Sequence, residues 1–465
     1  MKNNVLKKDI VIVGGGPAGL AAAAACYDAG AADTLILERE DALGGILKQC
    51  IHNGFGLTRF RENMTGPEYA ARFVSEVEKR GIASLTGTTV LGIRAGRGSQ
   101  KTITAANGRG GIFEIRAKAV ILAMGCRERG KGALNIPGSR PAGLYSAGTA
   151  QKYVNLYGES VGKEIVILGS GDIGLIMARR MTLEGARVRA VCEIMPYSSG
   201  LRRNIAQCLD DFGIPLYLST TVTRIHGRER VEGVTVAQVD GRKRPVAGTE
   251  RFIPCDTVLF SVGLIPENEL ARKAGVEIDP RTRGAAVDET RETSLPGVFA
   301  CGNVLQVHDL VDFVSEEAEL AGRSAAAFAL NGAVKKRFVS VENGAGVSYV
   351  VPQKLNILRG SAGVSDAAPQ SPNFLSGGAE GASNAVPQSP VLLRGGEVKL
   401  YFRPDGVYRN AVIEVKDGEK TVAQKNRAAV APGEMETVTL KPPFTDISGD
   451  LTVSIRENGS RETRS

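Results

Sequence analysis

Apolar and polar positions follow two rhythms along the first 335 residues. Short runs of Val, Ile and Leu, such as Ile10 to Val13 and Thr34 to Glu38, have the length and β-branched content of buried strands. Between them Pro17 to Ala29 is an unbroken small-residue helix pattern, and the same beat restarts at Glu164. Strand and helix in alternation predict parallel sheets covered by helices, an α/β architecture. Past Val347 the rhythm shortens. Val398 to Phe402, Ala411 to Val415, Thr421 to Gln424, Glu436 to Leu440 and Leu451 to Ile455 read as short strands, with turns at Asp417-Gly418 and Pro432-Gly433. They predict a small C-terminal all-β sandwich, with Val347 to Val351 a candidate first strand. Residues 360–396 are rich in Gly, Ser, Ala and Pro, and carry the near repeat Ala368-Pro-Gln-Ser-Pro372 and Val386-Pro-Gln-Ser-Pro390. They read as a flexible linker.

Length and composition narrow this picture. A chain of 465 residues exceeds one ordinary domain. No apolar run reaches the roughly 20 residues of a membrane span. The lysine-bearing N-terminus enters a strand without a small-residue cleavage site, so a cytoplasmic location is expected. The seven cysteines are scattered with no Cys-x-x-Cys pair, which predicts no metal site and no disulfide framework. The net charge of +8 is spread in short groups such as Arg202-Arg203, the pattern of a solvated surface rather than of a nucleic-acid partner.

Two segments carry specific chemistry. Strand Ile10 to Val13 leads into Gly14-Gly-Gly16-Pro17-Ala18-Gly19 and a helix. The first glycine permits the tight turn, the second lets backbone approach a pyrophosphate, and the third lets helix and strand close up, while the helix N-terminus presents amides and positive dipole. Glu38 ends the next strand nineteen positions after Gly19, where a carboxylate takes ribose hydroxyls. The design recurs: Glu164 to Leu168, then Gly169-Ser-Gly171-Asp172-Ile173-Gly174, a helix, and Glu193 nineteen positions after Gly174. A terminal glutamate repels a 2′-phosphate, which favours NAD(H) at this second site; Arg202 and Arg203 keep NADP open.

With these two loops in place, the chain over residues 8–335 resembles the two-dinucleotide-binding-domain flavoproteins of the pyridine nucleotide-disulfide oxidoreductase superfamily. The crossing strands Ala119 to Gly125 and Asp256 to Gly263, and the late motif Thr293 to Gly302-Asn303, carry that resemblance, as do Gly44-Gly45 through Gly56 and His308 to Asp312. It implies FAD in the first loop and the pyridine nucleotide in the second, with two Rossmann-like domains, the second inserted in the first. It adds Gly45, Gly125, Gly263, Gly302 and Asn303 to the cofactor-contacting residues; the family usually has an aspartate where this chain has Asn303. The subfamily resembled most comprises flavoprotein subunits of heteromeric dehydrogenases: opine and proline dehydrogenase, hydrogen cyanide synthase, and the type associated with anaerobic glycerol 3-phosphate dehydrogenase. The resemblance therefore implies a partner dehydrogenase subunit, with a small iron–sulfur subunit beside it in an oligomer, because no cysteine follows Cys301 to hold a cluster in this chain.

On this reading residues 1–155 begin the FAD domain, 156–285 form the inserted NAD(P) domain, 286–340 return to the FAD domain, 341–359 connect, and 397–465 form the sandwich. The sandwich reads either as a docking module or as a structural cap. The helix after Asn303, from Ser315 to Phe328, should aim its N-terminus at the flavin. Cys50, His52 and His308 are the candidate catalytic residues. Cys50 lies near the redox pair of disulfide reductases without its partner, as a reactive thiolate or a buried thiol, and the histidines are candidate proton carriers. No histidine follows His308, which argues against thiol–disulfide reduction with an acid-base histidine from the C-terminal domain. The expected function is hydride exchange between NAD(H) and FAD with electron transfer to a partner or small acceptor. A Cys50-dependent NADH oxidase or peroxidase and a non-catalytic nucleotide-bound scaffold are the alternatives.

Overall fold

The structure, a computed structural model, describes residues 5–95, 100–357, 396–442, 444 and 447–458. The predicted linker, apart from Gly396, and its Pro-Gln-Ser-Pro repeat lie outside the described residues.

The first apolar strand, Leu6–Val13, lies at the centre of a seven-stranded sheet. Thr34–Leu37 and Ala83–Leu85 flank it on one side in parallel, and Gly111–Leu122 runs parallel on the other. An antiparallel meander, Thr88–Ala95 and Lys101–Asn107, continues that edge. The chain comes back to this sheet late: Val298–Ala300 pairs with Val120–Leu122. The helix Pro17–Asp28 then packs against the return helix Val311–Asn331. Only small residues permit this approach, since a Cβ on Gly322 would lie 2.4 Å from the carbonyl oxygen of Ala22. The alanine run at 21–23 is fully buried for the same reason.

Between the outward and return segments sits a second parallel sheet, in the order Leu144–Ser146, Thr257–Phe260, Glu164–Leu168, Arg187–Cys192, Leu216–Tyr217. A three-stranded antiparallel sheet, Thr220–His226, Gly233–Gln238 and Arg251–Pro254, adjoins it. The two crossings pair with each other, Cys126–Glu128 against Leu264–Pro266. The architecture is thus the α/β fold that the alternating pattern predicts, with a second nucleotide-type unit inserted in the first as the family resemblance implies, followed by C-terminal β sheets. Those sheets have five and three strands, and Phe338–Asn343, Val347–Val351 and Lys354–Asn356 belong to them alongside the strands after residue 396. Among the described residues no helix is long and apolar enough to cross a membrane.

The return helix begins at Val311, four residues before the expected Ser315. Asp312 in its first turn is buried and accepts backbone N–H groups from Gly56, Thr58 and Arg59, so a carboxylate that looks like surface is held inside by three donors.

Candidate functional site

Both glycine loops are built by the same local contacts. Gly14 adopts φ +107°, and a Cβ there would lie 2.4 Å from the Ala123 carbonyl oxygen of the neighbouring strand. A Cβ on Gly19 would lie 1.8 Å from the Gly14 carbonyl oxygen, so only hydrogen lets the helix start where it does. Gly16 differs: an added Cβ meets only Gly45 Cα at 3.8 Å, and the helix behind it has Pro17 at its start and no side-chain cap. The first-turn amides are therefore left for an anion. Ala18 packs against Gly302 of the return segment, where a Cβ would sit 2.8 Å from that of Ala18.

The acid at the strand end is locked by the loop it serves. Buried Glu38 accepts Gly15 N–H at 2.7 Å on one oxygen and Glu40 N–H at 2.8 Å on the other. Buried Glu193 accepts Ser170 N–H at 2.9 Å and Met195 N–H at 3.0 Å in the same pattern. The correspondence reaches the backbone. Gly14 and Gly169 donate to Leu37 and Cys192 at 2.8 and 2.7 Å, and Thr88 and Thr220 donate to the two glutamate carbonyls at 2.8 Å each. Gly169 adopts φ +100°, a Cβ on Gly174 would lie 2.7 Å from the Gly169 carbonyl oxygen, and Gly171 leaves its helix uncapped. Each unit thus offers uncapped amides and, a strand away, a buried carboxylate with lone pairs to spare. A dinucleotide needs that pair of features, so the residues fit one in each unit.

The second loop carries a strap that sequence reasoning missed. Asp172 directs one carboxylate oxygen to Leu201 N–H at 2.8 Å and Asn204 Nδ2 at 2.7 Å, while Ser199 N–H donates to Ser170 Oγ at 3.2 Å. Residues 198–204 are thereby tied to the glycine turn. Asp172 gives one of its carboxylate oxygens to this strap, and Ile173 packs at the edge of the second unit's core. Arg203 lies against Gly54 of the first unit, where a Cβ would be 2.9 Å from its Nη2.

The candidate catalytic residues fall into two groups. Cys50 follows a short 3-10 turn, Gly45–Gln49, and its Sγ lies 3.4 Å from the Ile46 carbonyl oxygen as a donor. Burial pushes the thiol up to about 12 with no cation to offset it, a direction that favours the thiol form, while the residue as a whole is half-buried. His52 is half-buried, with Nδ1 3.0 Å from the Asn53 carbonyl oxygen and its ring 5.0 Å from Phe55. Burial lowers its pKa, the Asn53 contact opposes this, and Arg203 lowers it further from across the gap between units. Gly125 and Gly263 close the two crossing segments: Glu267 N–H donates to the Gly125 carbonyl and Arg129 N–H to that of Gly263, both at 3.0 Å.

His308 belongs to a fully buried cluster in the return segment. Glu317, on the core side of the return helix, accepts Gly302 N–H and His308 Nε2–H on one oxygen, both at 2.9 Å. Its other oxygen accepts Gln306 Nε2 at 2.9 Å and Arg291 Nε at 3.2 Å. Burial works to raise the Glu317 pKa, but the fields and hydrogen bonds of His308, Arg291 and Gln306 prevail and hold it at about 2. An ionised carboxylate only accepts, so His308 Nε2 carries the proton, and its Nδ1 is buried with no partner among the described residues. Asn303 Oδ1 accepts the His308 backbone N–H at 3.0 Å. A signal for Glu317 exists in the sequence: it lies four residues before Ala321, on the apolar face of Ala318, Ala321 and Ala325.

Known proteins resemble the chain over its two nucleotide-type units. The model of the family described as pyridine nucleotide-disulphide oxidoreductase covers residues 8–325. An opine oxidase subunit of Agrobacterium tumefaciens is 24% identical over 341 residues, 69% of this chain and 65% of that protein. Hydrogen cyanide synthase subunit HcnB of Pseudomonas protegens is 25% identical over 341 residues, 68% of this chain and 69% of its own length. The chain spans just under two thirds of the opine oxidase protein it matches. Among solved structures, T. acidophilum thioredoxin reductase superposes with a TM-score of 0.58 at 25% identity, over 70% of this chain and 99% of that one.

Proposed function

The chain belongs to the pyridine nucleotide-disulphide oxidoreductase family, and on that premise we propose that it is an FAD-dependent oxidoreductase exchanging hydride between NAD(H) and FAD and passing electrons to or from a partner dehydrogenase subunit or a small acceptor. Flavin and nicotinamide supply the hydride chemistry when bound; the chain's task is to hold and orient them. Gly14, Gly16, Pro17, Ala18 and Gly19 cradle the FAD pyrophosphate and Glu38 its ribose, with Gly45, Gly125, Gly302 and Asn303 lining the rest of that site. Gly169, Gly171, Ile173, Gly174 and Glu193 do the same for NAD(H), and Gly263 ends the crossing strand beside them. The observation that carries the reading is the duplicated hydrogen-bond pattern from loop amide to buried glutamate in the two units. A partner is supported by the opine oxidase and hydrogen cyanide synthase relatives, both named as subunits. The thiol character of Cys50 weighs against the peroxidase alternative.

The decisive experiment is anaerobic. Purified protein reconstituted with FAD should be yellow and should bleach on addition of NADH; failure to bleach would leave the scaffold reading standing. Coenzyme choice has its own test. Glu193→Gln removes the negative charge facing the ribose and keeps an oxygen for Ser170 N–H, but it turns an NH2 toward Met195 N–H, so the melting temperature is measured alongside. Losing a charge-assisted contact should weaken NADH binding about tenfold and narrow the NADH-over-NADPH preference. Stopped-flow titration with both coenzymes measures this, and an unchanged preference would move the selectivity elsewhere.

A further inference from the structure

The strand Val398–Pro404 presents two unlike faces. Val398, Leu400 and Phe402 are buried in the core of the C-terminal sandwich. The alternate residues Lys399, Tyr401 and Arg403 point the other way, onto the return segment of the first nucleotide unit. Lys399 Nζ pairs with both carboxylate oxygens of Glu316, at 2.8 and 2.9 Å. The buried Tyr401 ring stands edge-on to His308, 6.0 Å away at 85°.

Arg403 is the most committed of the three. Its Nη2 donates to Asp309 Oδ1 at 2.7 Å and to the Val307 carbonyl oxygen at 3.1 Å, and Nη1 donates to the Pro432 carbonyl oxygen at 2.8 Å. The second Asp309 oxygen accepts Met435 N–H, also from the sandwich, at 2.6 Å. One guanidinium therefore grips the residues on both sides of His308, in a stretch without regular structure between Gly302–Val304 and the helix at Val311. Burying an arginine between two domains costs much desolvation, which a planar fork with several good acceptors offsets and a mobile loop could not.

We propose that Arg403 is a positioning residue of the first nucleotide site: the C-terminal sandwich, through Arg403 and Asp309, fixes the loop that carries His308. This rests on the reading of the first loop as the FAD site. Arg403 touches no cofactor-contacting residue directly; it acts through Val307 and Asp309 on His308, whose backbone N–H is held by Asn303 and whose Nε2 is held by Glu317. The sandwich is then part of the flavin site's architecture, neither a separate docking module nor a passive cap.

The test titrates FAD into full-length apoprotein, following quenching of flavin fluorescence and the visible circular dichroism of the bound ring. Arg403→Met should weaken FAD binding about tenfold, the scale on which loss of a contact supporting a ligand-contacting residue is felt, and should change the visible dichroism. Arg403→Lys should restore part of both, since an ammonium reaches Asp309 but cannot also span Val307 and Pro432. Asp309→Asn attacks the clamp from the other domain, leaves the sandwich sequence intact, and should reproduce the loss without adding to that of Arg403→Met in the double variant. Arg456→Met removes an exposed arginine paired with buried Glu414 elsewhere on the sandwich and should leave FAD binding within about twofold. Wild-type affinity and dichroism in both Arg403→Met and Asp309→Asn would overturn the proposal, as would an equal loss in Arg456→Met. A wild-type apoprotein that takes up no FAD at all would instead refute the FAD reading itself.

Discussion

Gly19→Ala is expected to yield a folded protein that purifies without colour. The added methyl would have to occupy a point 1.8 Å from the Gly14 carbonyl oxygen and 3.3 Å from the Ile12 side chain, all within the turn that presents the amides. Backbone cannot rotate aside as a side chain can, so relief comes only by lifting the helix N-terminus off the strand, which moves the donors meant for the pyrophosphate. Overpacking of this kind costs about 1–3 kcal/mol of stability. The site loses more, since its donors act together, and FAD affinity should fall by at least about a hundredfold. Gly174→Ala makes the parallel change in the second unit, with contacts of 2.7 Å to the Gly169 carbonyl oxygen and 2.8 Å to Ser261 Cβ. That variant should stay yellow and lose its bleaching by NADH. The pair of variants separates the two sites: absorbance reads the first and anaerobic reduction the second. A yellow Gly19→Ala protein with normal FAD affinity would sink the assignment of FAD to the first loop.

The glycine loops are readable from sequence because their function lies in local backbone geometry, which spacing encodes directly. Gly14 to Gly19 and Glu38 are close enough along the chain that one strand, one turn and one helix determine where each ends up. What stays hidden depends on contacts between distant segments. Arg203, a 2′-phosphate candidate by its distance in sequence from Glu193, lies against Gly54 in the other unit, a neighbour its own segment does not announce. Asp312 makes the start of the return helix look like loop, because nothing local announces that it will find three backbone donors from residues 56–59. Cys50 is ambiguous in sequence for the same reason: whether a thiol ionises depends on what surrounds it, and here the Sγ meets the Ile46 carbonyl and the Gln151 side-chain oxygen, with no cation beside it. The sandwich strands are visible by their alternation. What the alternation does not say is where the polar face of Val398–Pro404 lies, which is against the return segment.

Glu317→Gln, a nearly isosteric exchange, is expected to be among the most damaging single substitutions in the chain. All four groups around the carboxylate are donors: Gly302 N–H, His308 Nε2, Gln306 Nε2 and Arg291 Nε. A carboxylate offers lone pairs on both oxygens, whereas an amide turns an NH2 toward two of these donors whichever way it flips. Arg291, 1% exposed, is left as a buried cation without its counter-charge. Breaking such a pair costs about 3–5 kcal/mol, a large share of a domain's stability. The Gly302 amide, freed from its anchor, sits in the late motif assigned to the flavin, so FAD retention should fall along with the melting temperature. The pH dependence supplies an independent check. Glu317 is held at about 2 in the folded protein against an ordinary value of 4.5, so its contribution is fully present above 4.5 and is lost as pH falls from there toward 2. Denaturant unfolding of the wild type between these limits should show stability declining with acidity, and the Glu317→Gln protein should lose that part of the slope. If the variant melts with the wild type and keeps the same acid slope, the buried cluster does not hold the return segment in place, and the route from Glu317 through His308 and Gly302 to the first nucleotide site fails with it.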